Sequence, residues 1–122
     1  MDTARTILLV DDDPTLRTVF AAVLNRAGYL VLSADSAEEA LQLLTSNPAI
    51  AAIITDLHMP KMNGSALLNE IVARGIRIPS IIVSGELEEL YATVPSLTTV
   101  LTKPITGATL LETLERVLKQ KH

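Results

Sequence analysis

Three acidic residues stand side by side, Asp11, Asp12 and Asp13, at the end of the apolar run ILLV. Further along, Asp56 ends IITD, Ser84 ends IIVS and Lys103 follows VLT. Each of these polar residues closes a short apolar stretch, and the stretches themselves (TILLV at 6–10, AIAAII at 49–54, IPSIIV at 78–83, TTVLT at 98–102) read as buried strands. If those strands lie parallel, their carboxyl ends bring carboxylates, a hydroxyl and an ammonium into one crevice. Two carboxylates ~5 Å apart repel by roughly 3 kcal/mol at an effective dielectric near 20. Several of them converge only around a cation. All-oxygen ligation selects a hard ion, and the small one that keeps waters and leaves room for a phosphate oxygen is Mg2+.

The elements that must hold these residues are legible between them. Leu16, Val19, Phe20, Val23 and Leu24 follow the spacing of one buried helical face, with Gly28 placed to end the helix. Ser36 and Glu39 form a capping box ahead of Ala40, Leu41 and Leu44. The stretch from Gly64 to Ala73 presents Leu67, Leu68 and Ile71, and Leu110, Leu111, Leu114, Val117 and Leu118 repeat the first helix's spacing. YLVLS at 29–33 supplies a weaker second strand. Strand and helix thus alternate about five times, which predicts a parallel sheet with helices on both faces. In such a sheet, chemistry sits at the carboxyl ends of the strands.

Composition narrows the function. The chain has 122 residues, 48% of them hydrophobic, but only one Phe, two Tyr and no Trp. Its core must be built from Leu, Ile, Val and Ala, as in a parallel sheet covered on both sides. The net charge of -4 and the lack of a basic block before the C-terminal KQK argue against direct nucleic-acid binding. There is no cysteine, so disulfides, thiol catalysis and thiolate metal sites are excluded together. The first apolar run is too short for a signal peptide or a spanning helix, so a cytoplasmic domain without membrane contact is expected.

Taken singly, most of these residues have ordinary explanations. Asp13 before Pro14 is a helix N-cap with Pro at the first helical position. An Asp often closes a strand, Ser84 could cap a helix, and a lysine is usually a surface residue. The constellation is specific where its members are not.

Its motifs carry a resemblance over roughly Arg5 to Leu118. ILLVDDDP resembles the acidic-pair motif of the receiver domains of bacterial two-component response regulators, DLHMPKMNG their phosphoacceptor motif and TKP their lysine-proline motif. The resemblance implies an α/β fold, a doubly wound, flavodoxin-like five-stranded parallel sheet of order 2-1-3-4-5. It implies Asp56 as the phosphorylated residue, Asp11 and Asp12 as the Mg2+ pair, the His58 main-chain carbonyl as a further ligand, Ser84 as the hydroxyl that meets the phosphoryl group and Lys103 as its counter-cation. The implied activity is phosphoacceptance rather than enzymatic turnover of a separate substrate. The implied donor is a sensor histidine kinase or a histidine phosphotransfer protein, and the output partner is not named by the sequence. The expected organisation is one receiver domain over 1–122, core about 5–118, with no output domain.

Chemistry supports those roles, since a carboxylate attacks an anionic phosphoryl donor only when the negative charge is neutralised from both sides. Pro104 keeps Lys103 out of the helical region and is compatible with a cis bond. Gly64 ends the turn begun at Met59 and Pro60 and lets the next helix start close to Asp56.

An alternative is a haloacid-dehalogenase-like phosphatase, with Asp11 as nucleophile and Asp13 as general acid. That family's magnesium acids follow its lysine, and after Lys103 the chain has no Asp, only Glu112 and Glu115 in an amphipathic stretch. A flavin carrier of the same topology would want a phosphate-cradling loop after the first strand and aromatics around the ring, and both are missing. The chain departs from the receiver pattern between Ser84 and Lys103. Val100 stands where an aromatic is usual, and Pro95 cuts short a helix expected over 86–94. His58 and Glu86 stand at positions that flank the path of hydrolytic water in the family.

Overall fold

Parallel strands joined by helical crossovers bury both faces of their sheet, so each strand should be apolar throughout and should divide its side chains between two cores. The computed structural model describes residues 4–59, 61–85, 95 and 98–119 and has this architecture. The strands are β1 Thr6–Val10, β2 Leu30–Ala34, β3 Ile50–Asp56, β4 Ser80–Ser84 and β5 Thr98–Thr102. The helices among the described residues are α1 Pro14–Arg26, α2 Ala37–Ser46, α3 Gly64–Ala73 and α4 Gly107–Lys119. All neighbouring strands pair parallel in the order β2-β1-β3-β4-β5. This is the doubly wound order that was expected. The 86–94 helix and Glu86 lie outside the described residues.

Alternation along the strands builds the two cores. Leu8 and Val10 of β1, Ile53 of β3 and Ile82 of β4 face one side, where they pack with Ala40, Leu44, Leu67 and Ile71 from α2 and α3. Ile7 and Leu9, Ala52 and Ile54, and Ile81 and Val83 face the other, with Leu24 of α1 and Leu110, Leu114 and Val117 of α4. Each fully buried Leu or Ile contributes about 1.5–3 kcal/mol. Because the chain goes from β1 out to β2 and then back across β1 to β3, α1 and α2 fall on opposite faces. The reversal opens a crevice at the carboxyl ends of β1 and β3.

The helix ends follow their sequence signals. Asp13 Oδ1 accepts the N–H groups of Thr15 (2.9 Å) and Leu16 (3.4 Å), which starts α1 at Pro14. Gly28 stops it with φ +98°, its N–H bonded to the Asn25 carbonyl and that of Tyr29 to the Leu24 carbonyl, a Schellman pattern. At α2, Ser36 Oγ accepts the Glu39 N–H (3.2 Å), but the Glu39 carboxylate reaches one residue past the cap and accepts from Asp35 N–H (2.8 Å). The box closes around the preceding residue instead of the N-cap.

Two expectations are corrected. Val19 is 50% exposed, because α1 turns Phe20, Ala21 and Leu24 to the sheet and carries Val19 off the rim of that face. The apolar runs of β3 and β4 also stop short of the strands, which continue through Asp56 and Ser84, so both residues belong to strand ends and not to the loops beyond. Among the described residues, no helix is long and apolar enough to cross a membrane.

Candidate functional site

Past β1, the acidic loop is tied down by its own backbone. Asp11 N–H bonds to the Ala34 carbonyl of β2 (3.1 Å), and Asp13 N–H donates to Asp11 Oδ1 (2.9 Å). Asp11 is buried, whereas Asp12 and Asp13 are exposed. With Asp13 spent as the N-cap of α1, the pair left to face the crevice is Asp11 and Asp12.

On β3, Asp56 is buried at the last strand position, and the Thr55 hydroxyl donates to its carbonyl (2.9 Å). The following peptide stays in the sheet, with Leu57 N–H on the Val83 carbonyl (2.9 Å), and Gly64 N–H returns to the Leu57 carbonyl (2.8 Å). This return brings α3 so near that a Cβ on Gly64 would collide with the Asp56 carbonyl oxygen. Only glycine permits that approach. The sequence reading of this position holds, although Pro60 in the turn lies outside the described residues.

Ser84 ends β4 fully buried, one residue beyond Val83, the register partner of Asp56. Its carbonyl accepts the Lys103 N–H at 2.7 Å, which fixes where the lysine leaves β5. The Lys103–Pro104 peptide is cis. Lys103 Nζ lies 2.8 Å from Asp56 Oδ1, a buried oxygen that takes no hydrogen bond of regular geometry besides this ion-pair contact. One carboxylate oxygen from each of Asp11, Asp12 and Asp56 can be chosen so that all lie within 4.8 Å of one another. His58 is exposed and lines a shallow polar recess with Asp12, Met59, Lys61 and Asn63.

The charges perturb one another in a consistent direction. Burial pushes the Asp11 carboxyl up, and the neighbouring charges of Asp56 and Asp12 add to this against the opposing pull of the Asp13 N–H and Lys103. Burial draws the Lys103 ammonium down, but its contact with Asp56 and the attraction of Asp56, Asp11 and Asp12 outweigh it and leave the group raised. A cation fits this arrangement. The cluster offers oxygen only, holds a poorly satisfied buried carboxylate oxygen, and carries one ammonium against three carboxylates.

The match to known families is decided by the response regulator receiver domain model, which covers residues 7–115. The chain belongs to the response regulator receiver domain family. Receiver domains are signalling domains that work with histidine kinases in two-component systems. Among curated relatives, this receiver domain is 36% identical over 118 residues to a chemotaxis protein CheY homolog of Campylobacter jejuni, covering 92% of this chain and 91% of that one. Among solved structures it resembles the receiver domain of the hybrid histidine kinase CckA, with TM-score 0.81, 34% identity and coverage of 93% and 99%. It also resembles a response regulator receiver protein from Sinorhizobium medicae, with TM-score 0.88, 29% identity and 98% of each chain covered. The phosphatase alternative finds no support here, since its would-be acid, Asp13, is engaged as a helix cap.

One residue of the site escaped the sequence reading. Arg17 Nη1 donates to the Asp11 carbonyl at 2.6 Å. A charged residue between Leu16 and Phe20, one turn into a helix that starts at the acidic loop, was the available signal.

Proposed function

We propose that this receiver domain accepts a phosphoryl group on Asp56 from a phosphohistidine of a sensor histidine kinase or histidine phosphotransfer protein, in a Mg2+-dependent step, and that phosphorylation switches a partner-binding surface. One observation supports this above the others: the buried Asp56 carboxylate has the Lys103 ammonium 2.8 Å from one oxygen and shares its end of the sheet with Asp11 and Asp12. A strand-closing aspartate with only a structural role would need neither.

The residues divide the work as follows. An Asp56 oxygen attacks phosphorus, the P–N bond to the donor imidazole breaks, and an aspartyl phosphate forms. The bond's electron pair goes to the imidazole, which leaves neutral because its other nitrogen carries a proton. Asp11, Asp12, Asp56 and the His58 main-chain carbonyl would hold Mg2+, which would supply the positive charge that lets phosphoryl oxygens approach the carboxylates. Lys103 stays protonated at neutral pH and transfers its contact from Asp56 Oδ1 to the incoming phosphoryl oxygens. Ser84, at the end of the adjacent strand, provides a hydroxyl for the same group. The domain turns over no separate substrate. It works in the cytoplasm as one receiver unit over 1–122.

The test is incubation with a small phosphodonor and Mg2+, followed by intact mass and peptide mapping. The unaltered protein should gain one phosphoryl group on Asp56, and Asp56→Asn should gain none while keeping its fold, since the amide is nearly isosteric but does not attack. Label on Asp11 would overturn this reading in favour of the phosphatase.

A further inference from the structure

Besides the Arg17 N–H on the Asp13 carbonyl, the acidic loop has four polar tethers, and three of them come from the loop itself, the adjacent sheet or the first turn of α1. Asp11 N–H is held by β2, Asp13 N–H by the Asp11 carboxylate, and the Asp13 carboxylate by the first turn of α1. The fourth is the Arg17 guanidinium, half-buried, reaching back to the Asp11 carbonyl at 2.6 Å. We propose that Arg17 is a positioning residue for the metal cluster: by holding the Asp11 carbonyl it fixes the Asp11–Asp12 peptide and thereby the direction in which Asp12 presents its carboxylate to Asp11 and Asp56. The proposal rests on the metal reading above and adds a residue to it.

Two features favour positioning over a generic helix contact. Asp12 is exposed and its side chain is not held by burial, so the peptide before it is what sets its aim. A guanidinium that reaches an acidic loop would ordinarily pair with a carboxylate and occupy a ligand oxygen. Arg17 instead takes a backbone oxygen, so it brings positive charge to a self-repelling loop and leaves the carboxylates open.

The charge and the hydrogen bond pull Mg2+ affinity in opposite directions, because a nearby cation repels the ion while a fixed peptide preorganises its ligand. Two variants separate them. R17M keeps the unbranched stem and loses both charge and donor, and R17K keeps the charge and one donor at similar reach. Mg2+ affinity would be followed by amide NMR titration, together with the Asp11 carbonyl-carbon and Asp12 amide resonances of the metal-free proteins. R17M should bind Mg2+ about tenfold more weakly, the lower end of what losing an outer-shell partner does. It should also move both metal-free resonances, and R17K should restore most of both readouts. If R17M loses its fold, R17Q, whose shorter amide falls short of the carbonyl, carries the same expectation. Affinity equal to or tighter than that of the unaltered protein overturns the proposal, as do moved resonances without weaker binding. Failure of the unaltered protein to bind Mg2+ is a different result, which overturns the metal reading and this one with it.

Discussion

β1 and β3 lie at the centre of the sheet and deliver Asp11 and Asp56 each 6% exposed, whereas β5 lies at its edge, has no buried residue and delivers Lys103 with its side chain 38% exposed. On the carboxylate side the backbone is tied at every step, through Asp11 to β2, Leu57 to β4 and Gly64 back to Leu57. On the cation side, the β4–β5 ladder ends with the Lys103 N–H on the Ser84 carbonyl, and four methylenes then lead to the ammonium. The contrast follows from the sign of the charges. Carboxylates that repel must be fixed by the fold, while the ammonium is drawn to them and can be left on a flexible stem. In the proposed phosphoryl transfer, an ammonium that exchanges one anionic partner for another works best from the side that is not fixed.

Removing the cation should break this division most visibly. Lys103→Met should slow phosphoryl uptake by roughly 100- to 1,000-fold, the range seen when a preorganised charge partner is lost. Metal-free stability should fall by only about 1 kcal/mol, since solvent already screens a side chain this exposed. Removing an anion should do the opposite to stability. Asp12→Ala should weaken Mg2+ binding by more than the roughly 10- to 100-fold that loss of an outer-shell partner brings, and should raise metal-free stability by relieving repulsion. Calorimetry with Mg2+ and denaturant midpoints without it would measure both. Unchanged affinity in the Asp12 variant would remove it from the ligand set, and a Lys103 variant with normal uptake would show that the edge strand is dispensable.

A second pair of variants probes rigidity directly. Gly64→Ala pushes a methyl group into the Asp56 carbonyl, a backbone atom of a central strand, so it should destabilise by about 2 kcal/mol. Gly107→Ala, at the start of the helix after the Lys103 loop, meets Val23 Cγ2 at 2.8 Å, a side chain that can turn away. Its effect should be under about 1 kcal/mol. Equal losses in urea midpoints would mean that the two sides are equally stiff.

Much of this was legible in the chain. Continuous apolar runs and period-3.6 apolar patterns pointed to five strands and to the four helices of the described residues, because core burial leaves a direct trace in residue type. The candidate constellation was legible because its members close apolar runs, even though Asp56 and Ser84 proved to be the final residues of their strands. Val19 was misplaced because five apolar positions define a helical face only to within a residue, and the neighbouring helices decide its edge. Arg17 was missed because a hydrogen bond to a backbone carbonyl leaves no mark in the identity of the acceptor. The short helix expected over 86–94 lies outside the described residues, whereas Val100 is half-buried against the α2 and α3 core.

The smallest expected effect concerns Asp11, where the fold holds a charge against its preference. Burial raises the Asp11 carboxyl above its ordinary value of 3.8, so the folded metal-free protein binds a proton here more readily than the unfolded chain does. The sign follows from linkage. Where the native state holds the extra proton, stability falls as pH rises, beginning near 3.8 and ending above the raised native value. At neutral pH the ionised Asp11 therefore destabilises the metal-free fold, and below that window it does not. Asp11→Asn keeps an oxygen to accept the Asp13 N–H but has no charge. It should be more stable than the parent at neutral pH without Mg2+, and the advantage should shrink to nothing as pH drops through the window. With saturating Mg2+ the order should reverse, because the parent gains a ligand that the variant has lost. Denaturant midpoints across pH, with and without Mg2+, decide it. An advantage independent of pH would place its origin in packing, and an advantage that survives Mg2+ would mean that Asp11 is not a ligand.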